Sequence, residues 1–389
     1  TATAVQEQLN ITFVDGYAGG GRYRCGQLEM PGSPLILLET VAKVEARLNA
    51  EREKGFRINA EFIFIDDKAQ HTEFLRAEIE TSAFKAELDR SIHIWTADFN
   101  ERVEDLVARV RARSPRAGRS IFLLDQFGWS QVAFRSIRTI INSLSKAEVF
   151  LTFSVDSLID YLCGNSHDLK AFGEIDADPA FVRELARIKE SEQVGYRAVI
   201  QNGLYGHVQK ATEAKFYSPF FIKSAEAHRS YWFIHLSPHR EARNAIGTIH
   251  WQENNTTVHH GGAGLQALGF ASGRNLDQYT MEYLFDAPAR ERSRATLKEQ
   301  LPGLIFRAAE ADQPPTMEEL FGLRCNDTPV IREIIEEVLV DLRDQHEIRL
   351  LDEGGKEKPR ANSVAWTDRI ILPAQRTLFS SIAKAKVGD

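Results

Sequence analysis

The 389-residue chain is 43% hydrophobic and 26% charged, the balance of a globular protein with enough length for two or three domains. It has no run of about 18 apolar residues and no charged-then-apolar leader, which excludes a membrane-spanning helix and predicts no export. A formal net charge of -7 argues against broad nucleic-acid binding, and the scattered Cys25, Cys163 and Cys325 argue against a disulfide scaffold or zinc ribbon and predict a reducing cytoplasm.

The first half alternates strand and helix patterns. Apolar bursts at Ile11–Val14, Glu61–Ile65, Ile92–Trp95, Ile121–Leu124 and Val149–Phe153 are short enough for buried parallel strands. The first four end in, or shortly before, an acid: Asp15, Asp66, Asp98 and Asp125. Helices are predicted from Leu35 to Arg52, Phe74 to Leu88, Val103 to Ala112 and Val132 to Leu144, the first with Ser33 as cap and Pro34 in its first turn. The alternation predicts an α/β fold, a Rossmann-like doubly wound sheet that binds ligands at the carboxyl ends of its strands. A polar helical stretch, about 164–212, reads as an insertion over that edge. Lys215–Ile222 and Ser230–Leu236 read as strands joined by a polar turn, and Pro238–His250 as a helix.

Glycines from Gly261 onward mark a loop or linker over 261–290. Residues 291–389 predict a winged helix. Its parts are a helix over Arg294–Ala309, a break at Pro314-Pro315, a capped helix at Thr316–Leu320, and a longer helix from Pro329 to Gln345 behind Asp327 or Thr328. Strands at Ile348–Leu351 and Arg369–Leu372 flank a wing, Gly354 to Arg360. The expected domains are therefore 1–260 and 291–389.

Val14-Asp15-Gly16-Tyr17-Ala18-Gly19-Gly20-Gly21 stands at a predicted strand's carboxyl end, where glycines let a ligand approach the backbone. Neither a G-x-G-x-x-G running into a helix nor a P-loop lysine is present. The form D-x-aromatic-x-G-x-G resembles the first motif of class I S-adenosylmethionine-dependent methyltransferases. On that resemblance Asp15, Gly16, Tyr17, Ala18, Gly19 and Gly21 hold the cofactor, S-adenosylmethionine. Asp66 would accept both ribose hydroxyls, and Asp98 with Phe99 would hold the adenine. Asp125, Gln126 and Phe127 would meet the methyl acceptor. A lone strand-end aspartate is ordinarily a helix cap; four in strand order behind a glycine loop point to a site.

Three segments resemble the three-Cys-motif partner family. They are Phe13 to Tyr23 with Pro31-Gly32-Ser33-Pro34-Leu35, then Ile121 to Trp129 (the family's Asp-Pro-Phe-Gly segment), then Tyr231 to His239. The resemblance spans roughly residues 11–250 and implies a bacterial accessory protein, with a companion protein that bears the cysteines, in mobile or phage-defence contexts. Two departures stand out. Gln126 replaces the segment's proline. Only ten residues precede the first strand, where a helix commonly walls the methionine pocket, so the chain is incomplete or the pocket more open.

Other candidates weigh less. His235 and His239 are separated by Ser237-Pro238, which breaks any helix that would join them on a metal. His259-His260 reads as an exposed loop and Cys25 as a bystander thiol. Arg22, Arg24 and the arginines from Arg111 to Arg119 face either a phosphate backbone or solvent. The long C-terminal helix sets Arg332 and Arg343 against Glu333, Glu336, Glu337, Asp341 and Asp344, which repels DNA. Only the wing, with Lys356, Lys358 and Arg360, is basic, so a protein-contact role is favoured. The functional expectation is a methyltransferase acting on nucleic acid or a partner protein. A non-catalytic cofactor- or nucleotide-binding companion is the alternative, and a metal nuclease lacks any clustered acid-lysine motif.

Overall fold

The computed structural model describes residues 7–162, 169–191, 196–223, 230–259, 281–311, 314–360 and 363–373. They form two compact units, the first running to Ile246 and the second starting at Gly247. No described helix is long and apolar enough to cross a membrane.

The first unit is built on one sheet. Its strands in chain order are β1 (Gln8–Asp15), β4 (Arg57–Asp66), β5 (Ile92–Thr96), β6 (Ser120–Leu124), β7 (Ala147–Phe153), β8 (Phe216–Lys223) and β9 (Ser230–Ser237). Between β1 and β4 a small hairpin, β2 (Arg22–Cys25) and β3 (Leu28–Pro31), occupies what the sequence suggested was plain loop. The seven-stranded order is β5-β4-β1-β6-β7-β9-β8. β1, β4, β5, β6 and β7 are parallel, and β9 runs antiparallel to both its neighbours. This mostly parallel sheet within a mixed α/β unit is the Rossmann-like doubly wound architecture that the strand and helix alternation predicted.

Ile63, Phe64 and Ile65 are all fully buried, so this sheet is covered on both faces and its central strands carry unbroken apolar runs. On one face α1 (Ser33–Ala50) and α2 (Ala69–Thr81) cover Phe13, Phe62 and Phe64 with Leu35, Leu38, Leu75 and Ile79. On the other, α3 (Val103–Arg113) lies against β1 and α4 (Phe134–Ser143) against β7. The sequence placed α2 later. It begins at Ala69 because the Asp66 carboxylate takes the Lys68 amide, and it stops at Thr81 where the Ser82 hydroxyl binds the Ile79 carbonyl. Ser33 is not the cap of α1: Gly32 holds that position, and the Ser33 hydroxyl donates instead to Asp15 Oδ2 at 2.5 Å.

After α5 (Val155–Tyr161), the insertion forms α6 (Leu169–Glu174), α7 (Pro179–Glu190) and α8 (Tyr196–Thr212). Its described residues do not roof the ligand edge. α8 packs on α4, α5 and α7, Arg138 reaches the Ala211 carbonyl at 2.7 Å, and Arg135 pairs with Glu174 at 2.6 Å. The polar pattern reflected a helical layer laid over α4, which meets it through Arg135 and Arg138 as well as Phe134. The predicted turn at Ser224–Arg229 lies outside the described residues.

α9 (Arg240–Gln252) carries the boundary between the units, ahead of the expected position at 260. In the second unit, β10 (Thr256–His259) pairs antiparallel with β11 (Met281–Leu284). The stretch between them, where the glycine-rich linker was expected, lies outside the described residues. α10 (Ala287–Ala311), α11 (Met317–Arg324) and α12 (Arg332–Asp344) follow, then the hairpin β12 (Arg349–Leu351) with β13 (Arg369–Ile371). Helix, short helix, long helix and hairpin thus occur in the order expected. Thr316 and Glu319 form the capping box that starts α11, and Thr316 also bridges Arg369. α12 is capped by backbone at Ile331, while the Thr328 hydroxyl accepts the Val330 amide.

Candidate functional site

The chain enters the sheet at its middle with β1, winds outward to β5, and returns to lay β6 on the other side of β1. That reversal opens a crevice at the carboxyl ends of β1 and β6, where an open sheet binds ligands. The loop leaving β1 is tied to both neighbours: the Gly16 amide donates to the Leu123 carbonyl and the Ala18 amide to the Ile65 carbonyl, each at 2.9 Å. Gly19 and Gly21 hold φ of +59° and +78°, in the left-handed region. A Cβ on Gly21 would lie 2.6 Å from Leu75 Cδ1, so both backbone shape and space demand glycine there.

Around this loop lies a cleft of about 800 Å³. Eight of the expected site residues line it: Gly16, Tyr17, Gly19, Asp66, Asp98, Phe99, Asp125 and Phe127. Asp15, Ala18, Gly21 and Gln126 stand behind that wall. Asp15 is 1% exposed, its Oδ1 accepting the Tyr17 amide at 3.2 Å and its Oδ2 the Ser33 hydroxyl. Burial raises its pKa from 3.8 to about 6 against the pull of those hydrogen bonds, and the charges of Asp125 and Asp66 add to the rise. Burial likewise holds the Tyr17 phenol neutral by raising its pKa, as does the nearby charge of Asp98.

Asp66 is more heavily engaged than the sequence suggested. Its Oδ2 accepts the Gly19 amide at 3.0 Å, and its Oδ1 takes the Lys68 amide at 3.0 Å and His71 Nδ1 at 2.9 Å. A carboxylate has about four acceptor positions, so room remains for one ribose hydroxyl and not for both. Asp98 caps the turn after β5, taking the Asn100 and Glu101 amides at 2.7 and 3.3 Å. Phe99 is 2% exposed and packs edge-on to Gly16, forming the cleft floor.

The segment after β6 splits its three expected residues. Gln126 is buried, and its Oε1 accepts the Gln131 and Val132 amides at 2.9 Å each, bracing the turn from behind. Its oxygen is committed to those two amides, so it acts as a structural strut, and it is not among the residues that line the cleft. Asp125 and Phe127 face outward, Phe127 with 91% of its surface exposed. No hydrogen bond or ion pair reaches the Asp125 carboxylate among the described residues.

No family model matches the chain, and no curated protein matches it in sequence. Several solved structures align with parts of the chain at low identity. Trm1 from Pyrococcus horikoshii, solved with S-adenosyl-L-methionine, is 11% identical over 93% of this chain and 86% of its own, with a TM-score of 0.31. The plantazolicin methyltransferase BamL, solved with SAH, is 11% identical over 59% of this chain and 77% of its own, with a TM-score of 0.23. WbdD, solved with a kinase inhibitor, is 12% identical with a TM-score of 0.29; the alignment covers 59% of this chain and only 36% of that one.

Sequence reasoning missed several residues of the cleft. Tyr23, on the unforeseen hairpin, and Phe74, on α2, both line it. So do Lys68 and His71, which follow Asp66 so closely that only the helix start at Ala69 reveals them. Asn100 holds the far rim, with Nδ2 on the Gln131 carbonyl at 2.8 Å and Oδ1 accepting the Ala133 amide at 2.9 Å. The weaker candidates separate cleanly. His235 is buried against Glu148 at 3.0 Å, His239 accepts the Glu241 amide, and no described group of three or more His, Cys, Asp or Glu is placed to hold a metal. Arg111 binds the Ser143 carbonyl and Arg113 binds Asn59, so both are tied to their own fold. The side chain of Cys25 and the residue His260 lie outside the described residues.

Proposed function

We propose that the first unit binds S-adenosylmethionine and methylates a nitrogen acceptor held at Asp125 and Phe127, as a three-Cys-motif partner protein working beside a companion protein. The observation that carries this reading is convergence. Three strands deliver the glycine loop, Asp66 and Asp125 to one cleft at the point where the strand order reverses. The loop offers backbone and no lysine, which suits an uncharged nucleoside and an amino-acid tail better than a polyphosphate. When bound, the cofactor supplies an activated methyl group on a sulfonium. The chain's own work is positioning: Asp66 takes one ribose hydroxyl, Phe99 and Asp98 border the adenine, and Asp125 accepts hydrogen from the acceptor nitrogen. The second unit, with its helix order and hairpin, is proposed to be a winged helix that contacts protein rather than reading DNA.

Calorimetry with S-adenosylhomocysteine tests the reading. Asp66→Ala should weaken binding by about 1.5–3 kcal/mol, the worth of hydrogen bonds to a charged group, while Asp125→Ala leaves affinity within a few-fold and abolishes turnover. A non-catalytic nucleotide-binding companion is the second reading, favoured by the three contacts already on Asp66. Tight binding with no methyl transfer to any acceptor would select it.

A further inference from the structure

We infer that the acceptor held at this cleft is a cationic amine, the lysine ammonium of a basic polypeptide segment, gripped between the Asp125 carboxylate and the open ring of Phe127. This rests on the methyl-transfer reading and adds the chemical class of its acceptor. Asp66, Asp67, Asp98 and Asp125 line the cleft against Arg22 and Lys68. Arg22 is already ion-paired with Glu78. Asp66 and Asp98 are engaged with backbone amides, but Asp67 and Asp125 are exposed, and among the described residues no hydrogen bond or ion pair reaches either. The cleft therefore presents two uncommitted negative charges with Lys68 as their main counterweight.

Nucleic-acid affinity comes from lysines and arginines that neutralise phosphates, and this mouth has the opposite balance. A lysine side chain meets complementary chemistry throughout. Phe127 leaves 91% of its surface open, and an aromatic face attracts an ammonium through its quadrupole. Tyr23 and Phe74 line the same cleft at 52% and 50% exposure, an apolar wall for the four-carbon stem of the incoming side chain. Before alkylation the ammonium must lose one proton, and Asp125 is the carboxylate placed to receive it and pass it to solvent. That leaves the nitrogen with its lone pair free.

Fluorescence anisotropy with a labelled oligolysine peptide, in the presence of S-adenosylhomocysteine, tests this beside a labelled single-stranded DNA oligonucleotide of equal length. The peptide should bind at least about tenfold tighter than the DNA, a gap set by charge complementarity. Asp125→Asn should weaken peptide binding by about fivefold and Phe127→Ala by about threefold, in line with one exposed charge contact and one cation–π contact. Both side chains are exposed, so circular dichroism should show the fold intact. DNA binding as tight as the peptide, or peptide affinity unchanged in both variants, overturns the inference. Titration with S-adenosylhomocysteine alone separates the two layers: failure of that ligand to bind while oligolysine still does removes the methyl-transfer reading and leaves the amine site standing.

Discussion

At the scale of single residues, Asp15 and the Asp125–Phe127 segment show how burial decides what a side chain can do. Asp15 is sealed beneath the glycine loop, and burial raises its pKa from 3.8 to about 6. A carboxyl that protonates more readily folded than unfolded withdraws stability as pH rises through that window. The loss should be complete above pH about 6 and amount to roughly 3 kcal/mol. Asp15→Asn imitates the protonated acid, since its carbonyl can accept the Tyr17 amide and its NH2 can donate to the Ser33 hydroxyl. Urea unfolding should find the variant more stable than the parent by about 1–3 kcal/mol near pH 8, with the advantage gone near pH 4. An equal difference at both pH values would show that the charge is not felt. The neighbouring segment offers the opposite contrast. Asp125→Ala and Phe127→Ala remove exposed groups and should change stability by no more than about 0.5 kcal/mol. Gln126→Ala strips the acceptor from two amides, Val132's being buried, and should cost about 1–3 kcal/mol in the same unfolding experiment.

Among the elements, α10 and α12 correct the electrostatic picture drawn from the sequence. The acids of α12 looked like a face that repels DNA. In the fold, Glu337 pairs with Arg290 at 2.5 Å and Arg294 at 3.4 Å, and Asp341 with Arg294 at 3.2 Å and Lys298 at 2.8 Å. Much of that negative face is a set of struts to α10. The wing is also less basic than it looked, since Lys358 is bound to the buried Asp368. These pairs are partly exposed, so Arg294→Ala should cost about 1 kcal/mol, and the penalty should shrink as salt is added. A penalty independent of salt would mean that lost packing of the arginine stem, rather than its charge, is responsible. In the first unit the insertion helices show the same principle. Their polar pattern was legible, but which surface they cover depended on α4, whose buried Phe134 stacks on His207 of α8.

For the whole molecule, ligand binding should mark the first unit selectively. Hydrogen exchange with saturating S-adenosylhomocysteine should slow the amides of Gly16 to Gly21 and of Lys68, which border the cleft, and leave α12 unchanged. At about a hundredfold over Kd the added protection should approach about 2.7 kcal/mol. Slowing confined to other segments would place the ligand elsewhere. The sequence by itself determined the parallel strands of the main sheet, the acids at or just beyond four of their carboxyl ends and the glycine loop, because each is written in contiguous residues: an apolar burst, a following acid, and glycines where φ must be positive. It also carried the order of elements from α10 onward, through a capping box and apolar spacing at helical period. Only the tertiary structure decided how the acids are used. Asp15 is buried and Asp125 exposed, Asp66 is mostly occupied by its own chain, and Gln126 is buried while Phe127 is open to solvent. Those outcomes depend on neighbours distant in the chain, such as Ser33 for Asp15 and Gly19 for Asp66. A strand-end aspartate looks the same in sequence whether its lone pairs meet solvent, a ligand or a backbone amide, and packing alone distinguishes the three.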